Sequence, residues 1–321
     1  MTGESDEQGW DAGTRAWVAS QLTDGEAVVA VTRLRGGWTS EVRRLDVAGP
    51  ASRRSLVLRS FTEPYYVRHA KGLLTREACT LALLRGTGVT AASLLAVDPT
   101  AEFAGFPSLL MSLLPGEVRL DDATAAPRVE LLARQLLRIH RLPVPGPRRP
   151  RDYRVWTPPD RVRLPPATAR PELWRRAMDV VRARPPAYEG CFLHRDFHPG
   201  NVLFGGDAGD QHVTGVVDWV ETSWGPPDLD VGHCAVALAL LHGPGTGLLL
   251  VDGYLAAGGR LSTAPGAHLY WQLLSALHYA PDAEKLAAPW RELGRTDLTP
   301  ALVAARLEDY VSAVLTRYGE P

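Results

Sequence analysis

The sequence predicts an α+β protein with two lobes, a small N-terminal antiparallel β lobe with one helix and a larger, mainly helical C-terminal lobe. Short alternating apolar stretches, broken by glycine and proline, make up the first third of the 321 residues. From Ala126 onward, apolar residues recur mainly at helical spacing. A chain of this length can bury enough core for two lobes. We place the boundary at Pro115-Gly116, which gives domains of 1–115 and 116–321.

The N-terminal lobe is predicted from runs that alternate between apolar and polar positions. One stretch without proline carries apolar residues at helical spacing and predicts a helix over Val67–Arg85. Because side chains alternate along a strand, Val57 and Arg59 should share one face, and Leu56 and Leu58 the other. The strands are predicted over 27–34, 41–47, 55–61, 92–98 and 106–114.

The helical region is interrupted by a proline-dense stretch over residues 141–166. Proline lacks an N–H group and fixes its own backbone, so we expect neither a helix nor a central strand there. Two interpretations stay open for this stretch, a surface connector and a lid over a substrate cleft. Several amphipathic helices are predicted after residue 219.

Composition excludes several classes of protein. The net charge of −1 gives no basis for binding nucleic acid. The first ten residues are acidic and lack the apolar segment of a signal peptide, and the apolar run that begins at Cys234 is too short to cross a bilayer. The cysteines at 79, 191 and 234 lack metal-binding spacing and indicate small buried thiols in a reducing compartment. We therefore predict a cytoplasmic protein without nucleic-acid or membrane partners.

A dense polar cluster lies in "FLHRDFHPGNVLFGG", residues 192–206. His194 and His198 have the spacing of two zinc ligands on a helix, but the Pro-Gly pair that follows argues against a helix there. The alternative is an oxygen site in which Asp196, Asn201 and the later Asp218 converge from the ends of short strands. Carboxylate and amide oxygens suit Mg²⁺ beside phosphate groups, and a further carboxylate can act as a base.

The stretch "HRDFHPGNVLF" followed by "VVDW" resembles the catalytic loop and metal-binding aspartate of the aminoglycoside phosphotransferase and choline kinase group, relatives of the protein kinases. The pattern H-x-D-x-x-x-x-N is filled by His194, Asp196 and Asn201, and the resemblance extends over about residues 30–235. It implies a bilobal protein-kinase-like fold and transfer of the γ-phosphate of ATP to a hydroxyl of a small molecule, with GTP as an alternative donor. It also implies Asp196 as the catalytic base, and Asn201 and Asp218 as ligands of Mg²⁺.

The resemblance assigns a nucleotide site to the N-terminal lobe. Arg59 takes the position where the family usually has lysine, and Glu77, within the apolar stripe of the helix, is its expected partner. An alternative places Glu77 at the edge of that stripe, where it would reach water. A glycine loop should cover the phosphates, although a Gly-Gly turn is also typical of an ordinary hairpin. The nucleotide-binding candidates are Gly36, Gly37, Thr39, Ser40, Val57, Arg59, Glu77, Ser112, Leu113 and Leu114.

Other polar residues are expected to support the catalytic loop. His194 and His198 should bind its backbone, and family members carry a carboxylate nearby that does the same. Asp230 and Asp228 both fit that role, and Asp228 fits a helix N-cap equally well. The remaining histidines considered are interpreted as structural residues on helix faces: His140, His233, His242, His268 and His278.

The acceptor is predicted from charge together with the resemblance. After Asp218 the chain has eleven acidic and six basic residues, a balance of −5, which an electronegative cleft for a cationic aminoglycoside would explain. Solvated helix faces would explain the same charges. Alternatives are a kinase of a neutral metabolite or macrolide, and a nucleotide-binding pseudokinase, the latter motivated by Arg59. The acidic residues are Glu221, Asp228, Asp230, Asp252, Asp282, Glu284, Glu292, Asp297, Glu308, Asp309 and Glu320.

Overall fold

The structure is a computed structural model that describes residues 10–34, 39–50, 52–166, 168–207, 209–280 and 282–319. The chain divides into two compact units. The first, here the β unit, comprises Met1–Pro115 and Val217–Glu221. The second, here the helical unit, comprises Gly116–Val216 and Thr222–Pro321.

The β unit contains an antiparallel sheet with the strand order β1-β2-β3-β5-β4. Each strand coincides with a stretch that the sequence predicts. Seven residues separate β1 from β2 and four separate β2 from β3 in the sequence, and these neighbours along the chain pair directly, as is usual in antiparallel sheets. The strands are β1 (Ala27–Arg33), β2 (Glu41–Ala48), β3 (Arg53–Ser60), β4 (Leu94–Asp98) and β5 (Ser108–Ser112).

The predicted alternation along β3 is present. Leu56 and Leu58 lie in an apolar cluster with Trp17 and other buried side chains, whereas Val57 and Arg59 point to the opposite face. All four of these β3 side chains are buried, which is typical of an internal strand covered on both faces.

The β unit has two helices in its described residues, where the sequence predicted one. Helix α2 (Pro64–Leu84) begins three residues before the predicted start, with proline at its first position, where the missing N–H costs nothing. Helix α1 (Ala12–Ser20) was not predicted, because only Trp17 and Val18 give it a buried apolar contact. Its start was nonetheless encoded, since the side chain of Asp11 accepts the N–H of Thr14 at 2.8 Å.

The helical unit is built around α5 (Pro227–His242), which is buried from Asp228 to Leu241. A helix that is apolar on all sides needs neighbours on all sides, and α3, α6, α7 and α9 pack against it. Two antiparallel strand pairs, β6–β9 and β7–β8, carry the polar cluster between them. The further elements are α3 (Ala125–His140), α4 (Pro171–Arg182), β6 (Cys191–Leu193), β7 (Val202–Gly205), β8 (His212–Val216), β9 (Ser223–Gly225), α6 (Pro244–Ala256), α7 (Ala267–His278), α8 (Glu284–Glu292) and α9 (Pro300–Tyr318).

The proline-dense segment 141–166 is attached to the helical unit by backbone and side-chain contacts. Tyr153 donates its N–H to the carbonyl of Trp224 at 2.9 Å, and Trp224 donates to the carbonyl of Arg151 at 2.8 Å. The ring of Trp156 lies 4.5 Å from the guanidinium of Arg195 in the polar cluster. The segment therefore holds part of that cluster in place.

The thiols differ in exposure. Cys234 is buried and Cys191 is half-buried, but Cys79 is exposed on α2, so the prediction of a buried thiol was wrong at that position. Within the part of the chain that the structure describes, no helix is both long and apolar enough to cross a bilayer.

Gly116 lies at the start of the helical unit, where its backbone conformation and its close neighbours require glycine. Its φ is +94°, and a Cβ there would lie 2.2 Å from Thr214 Oγ1 and 2.7 Å from Phe204 O. We expect Gly116→Ala to lower the free energy of unfolding by about 2–4 kcal/mol, since strain and a backbone clash combine. Urea denaturation followed by circular dichroism measures this loss.

The matched control is Gly86→Ala, at a φ of +76° with open space around the added carbon. Only the strain of the left-handed conformation, about 1 kcal/mol, should appear there. Equal losses in the two variants would contradict the role given to the space around Gly116.

Candidate active site

The polar cluster is a loop that leaves β6 at Leu193 and enters β7 at Val202. Arg195 in this loop has a φ of +76°, a left-handed conformation that costs a non-glycine residue about 1–2 kcal/mol. Asp230, on α5, stabilises this turn, because its two carboxylate oxygens accept the backbone N–H groups of His194 and Arg195, each at 2.8 Å. Asp230 is fully buried, and His140 Nε2 contacts it at 3.3 Å.

Of the two aspartates proposed to support the loop, only Asp230 contacts it in the described structure. Asp228 accepts the N–H of Ser262 at 3.2 Å. It is not the helix N-cap either, because that position belongs to Pro226. Burial raises the pKa of Asp228. Burial acts in the same direction on Asp230, but the hydrogen bond from His140 and the neighbouring His140, His194 and Arg195 side chains together outweigh it and lower the pKa of Asp230.

Both loop histidines bind backbone N–H groups, in agreement with the sequence prediction. His194 Nδ1 accepts the N–H of Asp196 at 3.2 Å, and His198 Nδ1 accepts the N–H of Gly200 at 3.0 Å. In each neutral ring the proton therefore resides on Nε2. Each ring thus stabilises the loop by accepting a backbone N–H at its Nδ1 atom.

Asp196 lies at the centre of the loop with its side chain 30% exposed. Asn201 Nδ2 donates to Asp196 Oδ2 at 3.3 Å, and His233 Nε2 contacts Asp196 Oδ1 at 3.1 Å. Burial alone would raise the pKa of Asp196, but the hydrogen bond from His233 and the neighbouring imidazoles outweigh it and hold that pKa well below its usual range. Asp196 is therefore an ionised, oriented carboxylate at neutral pH.

Asn201 uses its amide nitrogen within the loop. Nδ2 donates to the Asp196 carbonyl at 2.9 Å as well as to the carboxylate. The amide oxygen is thus the atom of Asn201 that can face a cation. No group of three or more His, Cys, Asp or Glu side chains among the described residues is arranged to hold a metal. Mg²⁺ does not require such a group, since it commonly takes one or two protein oxygens together with phosphate and water.

Sequence reasoning missed His233, which it interpreted as a structural residue on a helix face. Its imidazole is 3% exposed and contacts Asp196 directly. His233 lies three residues after Asp230 on α5, and positions three apart share a helix face. Once Asp230 was a candidate, that spacing could have identified His233.

Arg59 is the centre of a second cluster, within the β unit. Its Nε donates to Ser40 Oγ at 2.9 Å, and its Nη1 donates to Glu77 Oε2 at 3.1 Å. The guanidinium also binds Asp218 through two N–H groups, at 3.0 Å to Oδ1 and 3.1 Å to Oδ2. Thr39 Oγ1 lies 3.4 Å from Nη2. The Arg59–Glu77 pair that the spacing predicted is present, and its role toward a nucleotide stays a prediction.

The Arg59–Glu77 pair is buried, with side chains 5% and 1% exposed. The alternative that placed Glu77 at the water-exposed edge of its helix was therefore wrong. Glu77 also accepts the N–H of Trp219 at 3.3 Å. Burial raises the pKa of Glu77, and the guanidinium of Arg59 opposes that shift. Loss of either partner would leave the other charged group buried without its counter-ion.

The other predicted nucleotide-binding positions have mixed outcomes. Gly36 and Gly37 lie outside the described residues. The side chain of Val57 is buried on the face of β3 that carries Arg59. The N–H groups of Ser112 and Leu113 donate to Ser93 O and Ser55 O at 2.9 Å and 3.2 Å, so neither is free for an adenine edge. Leu114 and the carbonyl groups are the remaining candidates for that contact.

Several acidic residues after Asp218 have partners other than a substrate in the described structure. Asp228 and Asp230 bind backbone N–H groups inside the helical unit, and several others pair with arginine. Glu320 lies outside the described residues. An acidic substrate cleft therefore has no support from these contacts and stays a prediction. The pairs with arginine are Asp252–Arg317, Glu284–Arg291, Asp297–Arg295 and Asp309–Arg170.

The chain matches the model of a family described as the phosphotransferase enzyme family over residues 30–271. No curated protein matches this chain.

Solved structures of similar fold cover nearly the whole chain. A candidate aminoglycoside phosphotransferase from Ralstonia eutropha is 16% identical, with 94% of this chain and 98% of that chain covered and a TM-score of 0.61. A thermostable mutant of aminoglycoside phosphotransferase APH(4)-Ia with ADP and hygromycin B is 15% identical (97% and 100% covered, TM-score 0.60). Amicoumacin kinase hAmiN with AMP-PNP, Ca²⁺ and Ami is 11% identical (97% and 96% covered, TM-score 0.56). These likenesses confirm the predicted protein-kinase-like fold class.

The two hydrogen bonds from the loop to Asp230 give a test of the site's stability. Asp230→Asn keeps the volume but turns an amino group toward one of the two N–H donors, which loses that bond. We expect the free energy of unfolding to fall by about 2–4 kcal/mol in urea denaturation at neutral pH. As a control, Asp252→Asn alters an exposed pair with Arg317 and should change it by less than about 1 kcal/mol. A comparable loss in both variants would contradict the support assigned to Asp230.

Proposed function

Because the chain belongs to the phosphotransferase enzyme family, we propose that it transfers the γ-phosphoryl group of ATP to a hydroxyl of a small molecule. Family membership confirms the predicted enzyme class, a phosphotransferase with an alcohol acceptor. The observation that carries the proposal is the ionised Asp196 carboxylate, held by Asn201 and His233 in a loop with the pattern H-x-D-x-x-x-x-N.

Asp196 is assigned to position the acceptor hydroxyl and to accept its proton. Phosphoryl transfer passes through a loose transition state in which the protein mainly aligns the reactants. The lowered pKa keeps Asp196 ionised, and an ionised carboxylate accepts strong charge-assisted hydrogen bonds, which suits alignment of the hydroxyl. Proton transfer to it belongs late in the reaction, when the attacking oxygen has become acidic.

The β unit is assigned to the nucleotide. Arg59 would contact the phosphates, with Glu77 orienting it, and Val57 would pack on the purine. Thr39 and Ser40 belong to the phosphate-covering loop, together with Gly36 and Gly37, and both hydroxyls contact Arg59. Ser112 to Leu114 are proposed to line the purine edge. GTP stays an alternative donor.

Asp218 and Asn201 are assigned as the protein ligands of Mg²⁺. Asp218 supplies a carboxylate and Asn201 its amide oxygen, the donor types that this hard cation prefers. When bound, Mg²⁺ bridges phosphate oxygens and neutralises the charge that develops on them. Arg59 already contacts both oxygens of Asp218, so a metal has to share or displace that contact.

The acceptor class proposed is an antibiotic or a related hydroxylated metabolite. One similar structure contains hygromycin B and another is of an amicoumacin kinase, so hygromycin B and amicoumacin are the compounds to test first. Measurement has to decide whether the acceptor is cationic, because several acidic residues of the helical unit have arginine partners. A cytoplasmic location without nucleic-acid or membrane partners stays a prediction.

A nucleotide-binding pseudokinase is the second candidate, and one observation favours it. The two-point contact of Arg59 with Asp218 occupies the carboxylate that a metal would need. Lysine, the usual family residue, could make only a single-point contact there. The presence of Asp196, Asn201 and Asp218 together favours catalysis over this candidate.

Nucleotide binding is tested with Asp218→Ala. We expect Mg²⁺ to raise the affinity of the wild-type protein for ATP, and this gain to fall at least about tenfold in the variant, because the carboxylate ligand is gone. Isothermal titration calorimetry with ATP and GTP, each with and without Mg²⁺, measures it. Asp252→Ala is the control acidic residue. An unchanged effect of Mg²⁺ on ATP affinity in Asp218→Ala would contradict the assignment of Asp218 as a metal ligand.

Catalysis is tested with Asp196→Asn and a panel of acceptors, cationic aminoglycosides beside neutral macrolides and sugars. We expect turnover to fall by about 10²–10⁴-fold while the affinity for ATP is retained, because the amide can neither accept the proton nor align the hydroxyl equally well. Phosphorylated product is detected by mass spectrometry. Wild-type turnover in the variant would overturn the role of Asp196. Nucleotide binding without turnover of any acceptor by the wild type would favour the pseudokinase.

A further inference from the structure

His233 is the one side chain from outside the catalytic loop for which the described structure shows a hydrogen bond to Asp196. Its Nε2 lies 3.1 Å from Asp196 Oδ1, and α5 provides the backbone. The next imidazole, that of His198, is 3.9 Å from the same oxygen, beyond hydrogen-bond distance. His233 is only 3% exposed. A buried donor at this distance from a central carboxylate restricts how that carboxylate can turn.

The contact with Asp196 fixes which atom of His233 donates. Because the ionised carboxylate of Asp196 can only accept, Nε2 of His233 must carry a proton. The hydroxyl of Tyr279 lies 3.4 Å from Nδ1 on the opposite side of the ring. Burial raises the pKa of Tyr279 well above its usual value, so the hydroxyl stays protonated and can donate to Nδ1. Asp196 thus fixes Nε2 as a donor, whereas the hydroxyl of Tyr279 can donate to Nδ1 or accept from it.

Packing around the imidazole limits its rotation. The ring centroids of Trp156, Tyr279 and His198 lie 5.1, 5.9 and 6.0 Å from that of His233. Trp156 and Tyr279 come from the proline-dense segment and from the end of α7, respectively. A ring enclosed by several elements keeps its donor in one place, as a positioning group requires.

We propose that His233 is a positioning residue, which holds Oδ1 of Asp196 while Asn201 holds Oδ2, so that the plane of the carboxylate is fixed for the acceptor hydroxyl. This inference rests on the proposed function. With one donor on each oxygen, rotation of the carboxylate would break both hydrogen bonds. The remaining lone pairs are then presented in a constant direction, and a misaligned hydroxyl would react more slowly.

The test uses two neutral amides that differ by one methylene group. Gln can place its amide nitrogen near the position of His Nε2, whereas the Asn side chain is too short to reach Asp196. We expect His233→Asn to lower kcat by about 10- to 100-fold, the rate equivalent of one charge-assisted hydrogen bond, with KM for ATP within about twofold. His233→Gln should keep kcat within about fivefold of the wild type. The control is His242→Gln on the same helix, where the ring contacts Asp122.

The assay uses Mg²⁺ and ATP with water as the acceptor and follows release of ADP, so it does not depend on the identity of the natural acceptor. Equal kcat in His233→Asn and His233→Gln, whether both are normal or both are impaired, would overturn the proposal. It would show that kcat does not depend on whether the side-chain N–H reaches Asp196. A change mainly in KM would overturn it as well. Absence of ATP turnover in the wild type with water and with every acceptor of the panel would defeat the proposed function and the positioning role with it.

A second measurement separates these failures. Nitrogen-15 NMR of the imidazole reports which ring nitrogen carries the proton, whether or not the protein turns over ATP. We expect His233 to carry a proton on Nε2. A bare Nε2 would show that the hydrogen bond to Asp196 is absent and would overturn the positioning role even if the kinase assignment stands.

Discussion

The buried guanidinium of Arg59 is the interaction on which the β unit depends. Removing a charge from water is unfavourable unless its hydrogen bonds are satisfied, and Arg59 reaches four partners. Ser40 precedes β2, Glu77 belongs to α2, and Asp218 belongs to a segment more than a hundred residues further along the chain. One side chain thus connects separate parts of the unit. Arginine does this better than lysine, because its planar fork donates in several directions at once.

An analogous constraint acts on the loop that contains Asp196. Asp230 is fully buried. The free-energy cost of burying its charge is offset by hydrogen bonds from the backbone N–H groups of His194 and Arg195, and Arg195 has a left-handed backbone. Strained backbone persists where its surroundings over-determine it, and such places are often functional. The left-handed residue Arg195 lies directly before Asp196, and the imidazoles of His194 and His198 bind backbone N–H groups of the same loop.

The sequence predicted those features that depend on local spacing. Period-two alternation placed Leu56 and Leu58 opposite Arg59 on β3, and the polar motif placed Asp196 and Asn201 in one loop. Contacts made in three dimensions were harder to predict. Helix α1 carries too few apolar residues for a periodic signal, and the contact of His233 with Asp196 joins residues 37 apart. The acidic balance after Asp218 proved ambiguous, because total charge does not reveal which carboxylates already have arginine partners.

Helix α5 affects how accurately the Asp196 carboxylate is placed relative to the loop backbone. Asp230 holds the loop backbone and His233 holds the Asp196 side chain, and both leave the same helix within one turn. A small shift of α5 therefore moves the loop backbone and the Asp196 carboxylate together. Their relative position is kept, whereas a shift of one of two separate helices would change it. Thermal motion of α5 therefore displaces the loop and the carboxylate by the same amount and does not misalign one against the other. Changes to the packing around α5 should thus be tolerated more readily than changes within the turn that contains Asp230 and His233.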